Sequence, residues 1–585
     1  MSAPDDLKPS SSPEIERSVE LPPLYYLHNF DQMLAHVLSQ YDDIWQHDER
    51  QLAETITQLD TCARALLVRF FTRKGWIFRP DKLVYPELDD IAKGLQALIA
   101  EGLIHPGQPE DNTALGCFTK AELLLVVAGQ SHLDGAVAAE WKRLKRPELE
   151  QRLLEWEYAH ELNQRLAERT VWVSEVARHF LVRMQLLYFG NLHQSLTEFV
   201  LRDLGLYRYH SIELNEHTRG FENRTMLDRH LQYYQLLEQL GTLSSDETEA
   251  WWDLDQQLAA LQQREDGSDH RLRRRIQRQR LHIARHLERQ GDNERALSIY
   301  QDIPQHPARE RAIRILSKSS PLQSLELCQQ AWLNPYSDDE QAFLESFAPR
   351  LIKRLQKSRQ LDDIDWFQEP DVIAEESLSL CEDEKPSLGK RGFVESAALL
   401  HLEQRQAGQG FHVENALFSA VFGLVFWPVI FASVKGAFFH PFQSQPDDYG
   451  EPNFWHRRDT ENEKIWQHIR SGGWKPMLED QRKISNGIVN PLVHWGFVDY
   501  AQDNGLWQLA LDRIPDADWV AIFQYLAGDL KSRSRGMPDL IWFPDAGGYQ
   551  LFEVKGPGDA LRQSQIGWLR CLQTAKIDGK VLYVT

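Results

Sequence analysis

The side chains best suited to chemistry lie near the C-terminus, in the run RGMPDLIWFPDAGGYQLFEVKGPGD from Arg535 to Asp559. Pro538-Asp539 is followed, after thirteen intervening residues, by Glu553-Val554-Lys555, a PD-(D/E)xK arrangement. Two carboxylates held a few ångströms apart supply hard oxygen ligands for Mg²⁺ or Mn²⁺. A divalent cation can neutralise charge on a pentavalent phosphoryl transition state and activate water. An ammonium group beside it can stabilise developing negative charge or orient the attacking water. The chemistry this set suits is hydrolysis of a phosphodiester.

The pattern alone is common, since the chain has seven Pro-Asp pairs. Pro515-Asp516 followed by Asp529-Leu530-Lys531 has nearly the same spacing. Context separates the two sets. Asp529 and Lys531 follow AIFQYLAG, which has helical character. Glu553 and Lys555 sit in Tyr549–Lys555, bounded by Gly547-Gly548 and Gly556-Pro557, so a turn, a strand and a stop are all marked. Leu540–Phe543 supplies the partner strand. Alternation along the second strand points Leu551, Glu553 and Lys555 to one face, where Asp539 enters from the start of its neighbour.

The remaining chain must position these groups. Lys and Arg number 65 against 86 Asp and Glu, a formal net charge of −21. The excess lies before residue 385, because residues 385–585 hold 21 basic and 22 acidic side chains. One segment opposes it: His270–Arg289 carries eight Arg and a single acid, Glu288. On a helix Arg271, Arg274, Arg278, Arg285 and Arg289 fall along one side, and Leu272, Ile276, Ile283 and Leu287 along another. Guanidinium groups suit phosphate contacts, so this helix is expected to be a phosphate track. Five scattered cysteines without CxxC spacing, and an N-terminus lacking an apolar signal core, predict reduced thiols in a cytoplasmic protein. Ala416–Val434 is 19 residues without a charge. Pro428 interrupts it, so a buried helix is expected and no membrane partner.

The whole reads as a multidomain, mostly α protein ending in an α/β PD-(D/E)xK, restriction-endonuclease-like nuclease domain. Residues 1–20 read as a flexible tail. Residues 21–110 read as an N-terminal α/β domain, with helix, a strand-like Gly75–Arg79 and helix in a winged-helix-like order. Residues 111–160 form a basic helix–loop–helix with Lys142, Arg143, Lys145 and Arg146, which resembles a SAP motif, a small DNA-binding hairpin. Residues 161–384 read as amphipathic helix ending in an acidic linker. Gly291–Ile303 and Ser319–Trp332 align at an offset of 28 residues, with Ala296 set on Ser324, which suggests a tetratricopeptide-like array. Residues 385–585 form the last domain.

PDL…LFEVKGPGDALRQSQIGWL resembles a VRR-NUC domain, a branch of the PD-(D/E)xK nucleases, and Gly392–Phe431 resembles the segment preceding it in Fanconi-associated nucleases. The resemblance implies a structure-specific, metal-dependent DNA nuclease that cuts 5′ flaps. It also implies trimming from 5′ ends (5′-to-3′ exonuclease, phosphodiesterase I activity) and a part in interstrand-crosslink repair. By the same resemblance Glu414 is an additional acidic metal ligand on a helix. Asp539 and Glu553 are the core carboxylates, Val554 lends a backbone carbonyl, Lys555 is the catalytic lysine and Gln565 is a catalytic polar residue on the following helix. A two-metal site holding Mg²⁺ or Mn²⁺ is expected. Lys531, Arg533 and Arg535 are the candidates for holding a 5′ phosphate, alongside Arg271, Arg274, Arg278 and Arg285 as DNA-binding residues. His412 and His440 are expected to be structural.

No Cys-rich ubiquitin-binding finger is seen, which fits a shorter, bacterial-type member, nucleoid-associated during repair. Repair-protein partners would use the helical region. A four-way-junction resolvase and a catalytically silent DNA-binding scaffold are the alternatives. The first is disfavoured by the extra helical region and the second by the presence of Glu414, Asp539, Glu553 and Lys555.

Overall fold

The computed structural model describes residues 22–73, 75–109, 114–128, 135–196, 199, 207–264, 269–361, 364–368, 372–379 and 393–585. The expected tail at 1–20 lies outside them. The chain divides into two compact units, Met1–Arg208 with Leu214–Leu227, and Tyr209–Glu213 with Asp228–Thr585.

In the first unit α1 (Tyr25–Gln40), α2 (His47–Gln58) and α3 (Thr61–Phe71) precede a small sheet, and α4 (Ile91–Ala100) stands between its first two strands. The strand expected at Gly75–Arg79 is the two-residue β1 (Ile77–Phe78), whose Phe78 stacks on Phe70 at 4.4 Å. With β2 (Ile104–Pro106) and β3 (Val171–Val173) it forms an antiparallel sheet of order β1-β3-β2. Between β2 and β3 stand α5 (Lys120–Ala128), α6 (Gly135–Arg143), α7 (Arg146–Leu154) and α8 (Ala159–Ala167). Leu123, Trp141, Leu149, Leu153, Leu162 and Leu166 make one apolar cluster. The basic hairpin is therefore inserted between two strands of the N-terminal sheet. α9 (Glu175–Phe189), expected in the helical region, also belongs to this unit, its Tyr188 edge-on to His36.

The second unit opens with a helical array. It comprises α10 (Arg224–Thr242, from Asp228 onward), α11 (Thr248–Gln263), α12 (His270–Arg289), α13 (Asn293–Asp302), α14 (Ala308–Ser319), α15 (Pro321–Leu333) and α16 (Asp338–Lys357). From α11 on, each helix packs on the next. Ala296 and Ser324, the positions aligned at an offset of 28, are both fully buried, and the Ser324 hydroxyl donates to the Ile313 carbonyl at 2.9 Å. Leu272, Ile276, Ile283 and Leu287 of α12 are fully buried, as the helical pattern requires.

The array is followed by a mixed sheet of order β4-β8-β7-β6-β5. Its strands are β4 (Glu375–Leu378), β5 (Gly408–His412), β6 (Leu540–Pro544), β7 (Gln550–Lys555) and β8 (Gly579–Val584). Gly547 and Gly548, at φ 107° and 75°, make the turn that returns β7 antiparallel to β6. β7, β8 and β4 run parallel, which needs a crossover. α25 supplies it between β7 and β8 (Gln563–Thr574, numbered after α17 to α24 below). β4 lies in the segment expected to be an acidic linker. Its exposed, charged side chains hide the strand from a hydrophobicity pattern, as suits a sheet edge.

α17 (Phe393–Arg405) covers one face, where Ala398 and Leu402 meet Leu540, Trp542, Phe552, Val554 and Leu582. Aromatic-rich helices stand between β5 and β6 in the chain. α18 (Leu417–Val425) and α19 (Trp427–Ile430) come from the long apolar run, broken where Pro428 begins α19. α20 (Asp459–Arg470), α21 (Trp474–Ser485), α22 (Trp495–Asp503), α23 (Leu506–Arg513) and α24 (Asp516–Gly528) follow. Phe418 of α18 stacks on Trp568 and meets Trp519 edge-on. Burying such side chains stabilises the layer by roughly 1.5–3 kcal/mol each. Among the described residues no helix is long and apolar enough to cross a membrane.

Candidate active site

Leu551, Glu553 and Lys555 alternate with Phe552 and Val554 along β7. The even-numbered pair enters the apolar layer under α17, so the odd-numbered set faces the other side. Asp539 immediately precedes β6. Its carboxylate accepts the Val554 backbone N–H at 2.8 Å, which fixes it beside the middle of β7. The Lys555 ammonium donates to Glu553 at 2.7 Å, and the Gln565 amide, from the first turn of α25, donates to the same oxygen. Asp539, Glu553 and Lys555 are all buried, at 8, 1 and 8% exposure.

Glu414 reaches this cluster by another route. β5 pairs with β6 so that His412 lies opposite Leu540, and the Val413 N–H continues the ladder onto the Asp539 carbonyl at 2.9 Å. Glu414 is therefore set next to Asp539. It stands in the turn ahead of α18 and is exposed, not carried on a helix as expected. The turn is sharp because Asn415 adopts φ 51°, and the Asn415 side chain accepts the Met537 N–H at 3.1 Å. Asparagine tolerates this left-handed conformation better than most residues. Across the sheet end, Gly536 at φ 79° lets the 529–537 segment lie against α25. A Cβ there would stand 2.6 Å from the Ser564 backbone.

Burial pushes the Asp539 carboxyl well above its ordinary range. The Val554 hydrogen bond opposes this, while the fields of Glu414 and Glu395 add to it. Burial and then the Asp539 charge raise Glu553 further, with Lys555 opposing. Glu395, on α17, was not picked out from sequence; a lone Glu in an amphipathic helix carries no signal, and only the tertiary fold brings its field to Asp539. Among the described residues no group of three or more His, Cys, Asp or Glu is already gathered to hold a metal ion. The donor set nonetheless fits a divalent cation. Two hard-oxygen carboxylates are each disfavoured as anions by burial and by neighbouring carboxylates, and a cation beside them would relieve both.

The decoy set falls apart as expected, because Asp529 is the C-cap of α24. The expected arginine track divides by environment. Arg274 is paired with Asp447 and Glu451, and the Arg271 guanidinium lies 4.3 Å from the centre of the Phe439 ring. Both contacts are made inside the second unit. Arg278 and Arg285 are exposed. Near the site, Lys531 and Arg535 are exposed, while Arg533 is engaged in a bidentate pair with Asp338. His440 is fully buried, and its Nδ1 accepts the Phe442 N–H at 3.2 Å.

A mixed sheet that delivers Asp, Glu and Lys to one face in this order is the frame of a PD-(D/E)xK nuclease, a hydrolase of phosphodiester bonds. Residues 24–105 match the family described as "FAN1, HTH domain", and residues 471–585 match "VRR-NUC domain". A Pseudomonas aeruginosa protein, "Fanconi-associated nuclease 1 homolog", is 33% identical over 573 residues, 96% of either chain. A homolog of the same name from Arabidopsis thaliana is 24% identical, over 97% of this chain and 68% of its own. Among solved structures, paFAN1 bound to 2nt 5′flap DNA with gap matches 97% of this chain and 99% of its own, at a TM-score of 0.77 and 31% identity. This chain belongs to the Fanconi-associated nuclease family. Nucleases of the VRR-NUC class are metal-dependent.

Proposed function

We propose that this protein is a structure-specific DNA nuclease that cuts 5′-flapped, branched DNA and trims from 5′ ends, with Mg²⁺ or Mn²⁺, in the repair of interstrand crosslinks. The observation that carries this reading is the meeting of Asp539, Glu553 and Lys555 on one buried face of the sheet, with Glu414 set beside them. The relative of known structure, held on 5′-flap DNA, supports the substrate class.

Asp539, Glu553, Glu414 and the Val554 carbonyl would hold the cations, whose chemistry is charge neutralisation at the phosphate and activation of water. The protein's own groups do the rest. The Val554 N–H keeps one Asp539 oxygen turned toward β7, leaving the other for a ligand. Gln565 and Lys555 both grip one oxygen of Glu553, which fixes its orientation. Lys555 brings the only ammonium group among these contacts and stabilises charge developing on the phosphate or orients the water. Burial of all three removes competing solvent and strengthens every charge interaction. Arg278, Arg285, Lys531 and Arg535, exposed and basic, would meet the phosphate backbone.

The test is cleavage of labelled 5′-flap, 3′-flap, nicked and four-way-junction DNA with Mg²⁺ or Mn²⁺, comparing wild type with Asp539→Ala. Metal-dependent cutting that prefers the 5′ flap and falls at least about 100-fold in the variant is expected. Equal cutting of both flaps removes the polarity, preferred cutting of the junction favours a resolvase, and no cutting of any substrate removes the nuclease reading.

A further inference from the structure

α16, the last helix of the array, begins with an aspartate that reaches into the nuclease layer. Asp338 accepts Arg533 Nε at 2.8 Å and Nη2 at 2.7 Å, a bidentate pair, and the Tyr525 hydroxyl at 3.2 Å. Arg533 also donates to the Tyr525 carbonyl at 2.9 Å and lies 4.3 Å over the Tyr525 ring. Its own carbonyl accepts the indole N–H of fully buried Trp568 on α25 at 2.9 Å. Gly567 fits this knot, since a Cβ there would stand 2.5 Å from the Tyr525 hydroxyl. Asp338 thus grips the guanidinium of Arg533, in the segment that delivers Asp539, and the backbone carbonyl of the same residue holds Trp568 on the helix that brings Gln565 to Glu553.

The contact between α16 and α25 is not continuous packing. A groove of about 620 Å³ lies between them, lined by Gln341, Ala342, Ile566, Gly567 and Cys571 among others. Ion pairs hold it at its margins: Asp338–Arg533, and Glu345–Arg570 with both oxygens within 2.6 Å of one nitrogen. Part-buried bidentate pairs are directional, so they set a position as well as a distance. Arg533 stands six residues before Asp539, and the intervening chain is pinned at Gly536 and Met537.

We propose that Asp338 is a positioning residue for the nuclease centre. By clamping Arg533 it sets the placement of Asp539 and of the α25 start, and so couples the helical array to the geometry of the reaction. The proposal rests on the nuclease reading for its kinetics, but its structural half stands apart.

The test compares Asp338→Asn with Glu288→Gln. The second breaks the Glu288–Arg311 pair and the Tyr300 hydrogen bond inside the array and touches neither Arg533 nor α25. In Asp338→Asn, kcat on 5′-flap DNA should fall about 10- to 100-fold with KM changed less than about twofold, as a small misplacement of reacting groups costs. Hydrogen exchange across 529–539, measured without metal or DNA, should quicken. Glu288→Gln should lower the melting temperature and leave kcat and that exchange unchanged. Adding Arg533→Gln to Asp338→Asn should cost no further activity, because the two act as one unit. An unchanged kcat in Asp338→Asn, or an equal loss in Glu288→Gln, overturns the proposal. If the wild type cuts no DNA the nuclease reading fails, and unchanged exchange at 529–539 then decides against the clamp itself.

Discussion

Asp539 and Glu553 are carboxyls that burial, together with neighbouring carboxylates, holds in the protonated form well above the usual range. The sign of the pH effect follows. Without metal, a carboxyl whose folded pKa is raised contributes stability in full below its unfolded value, about 4, and loses it as pH rises through the folded value. Metal binding needs the deprotonated pair, so affinity rises over the same interval. Melting curves in EDTA should therefore show the wild type losing stability with rising pH relative to an Asp539→Asn, Glu553→Gln double variant. The stabilisation gained on adding Mg²⁺ should grow with pH. A stability difference that does not vary with pH would sink this reading. Asp539, Glu553 and Lys555 were legible in the sequence because a strand's alternation and two glycine turns fix their face locally. Glu414 could be named only by resemblance and was expected on a helix, since its place depends on Asn415 adopting φ 51°. Glu395 and Asp338 left no trace, because they act on residues 144 and 195 positions away, across contacts that no local pattern encodes.

Among the elements, α12 has the clearest sequence pattern, and its arginines occupy two different environments. Its apolar stripe is buried as expected, but eight arginines on a 20-residue helix cannot all face water. Arg280 is buried against Asp255 and Asp302, Arg274 is paired with Asp447 and Glu451, and Arg278 and Arg285 remain exposed. A helical wheel gives an angle, but it does not say which angle another element will cover. The two classes should part experimentally. Arg278→Ala with Arg285→Ala should leave the melting temperature within a degree or so and reduce the slope of log affinity for flap DNA against log salt by about 0.9 per lost phosphate contact. Arg274→Ala should instead cost about 1–3 kcal/mol of stability by leaving part-buried Glu451 without this partner and Asp447 with only the longer pair to Arg275. An unchanged salt slope in the double variant would return the outer face of α12 to a merely solvated surface.

At the scale of the whole molecule, a net charge of −21 first argues against a polyanionic partner. That charge is unevenly divided: the region 385–585 is near neutral, and two of its acids, Asp539 and Glu553, are buried in the candidate site. An acidic body restricts DNA to the few exposed basic tracks, which favours a branched shape over indiscriminate coating of duplex. The division into two compact units has a thermodynamic consequence of its own. A chain of two units, each with its own buried core, departs from all-or-none unfolding, and calorimetry should resolve two transitions. All the proposed metal ligands lie in the second unit. Mg²⁺ should therefore raise only that unit's transition, by about 2.7 kcal/mol at a concentration 100 times its Kd. In Asp539→Ala the shift should vanish while the other transition stays put. A single transition that moves as a whole with Mg²⁺ would mean that the two units unfold as one, and that the N-terminal unit shares in the stability of the metal site.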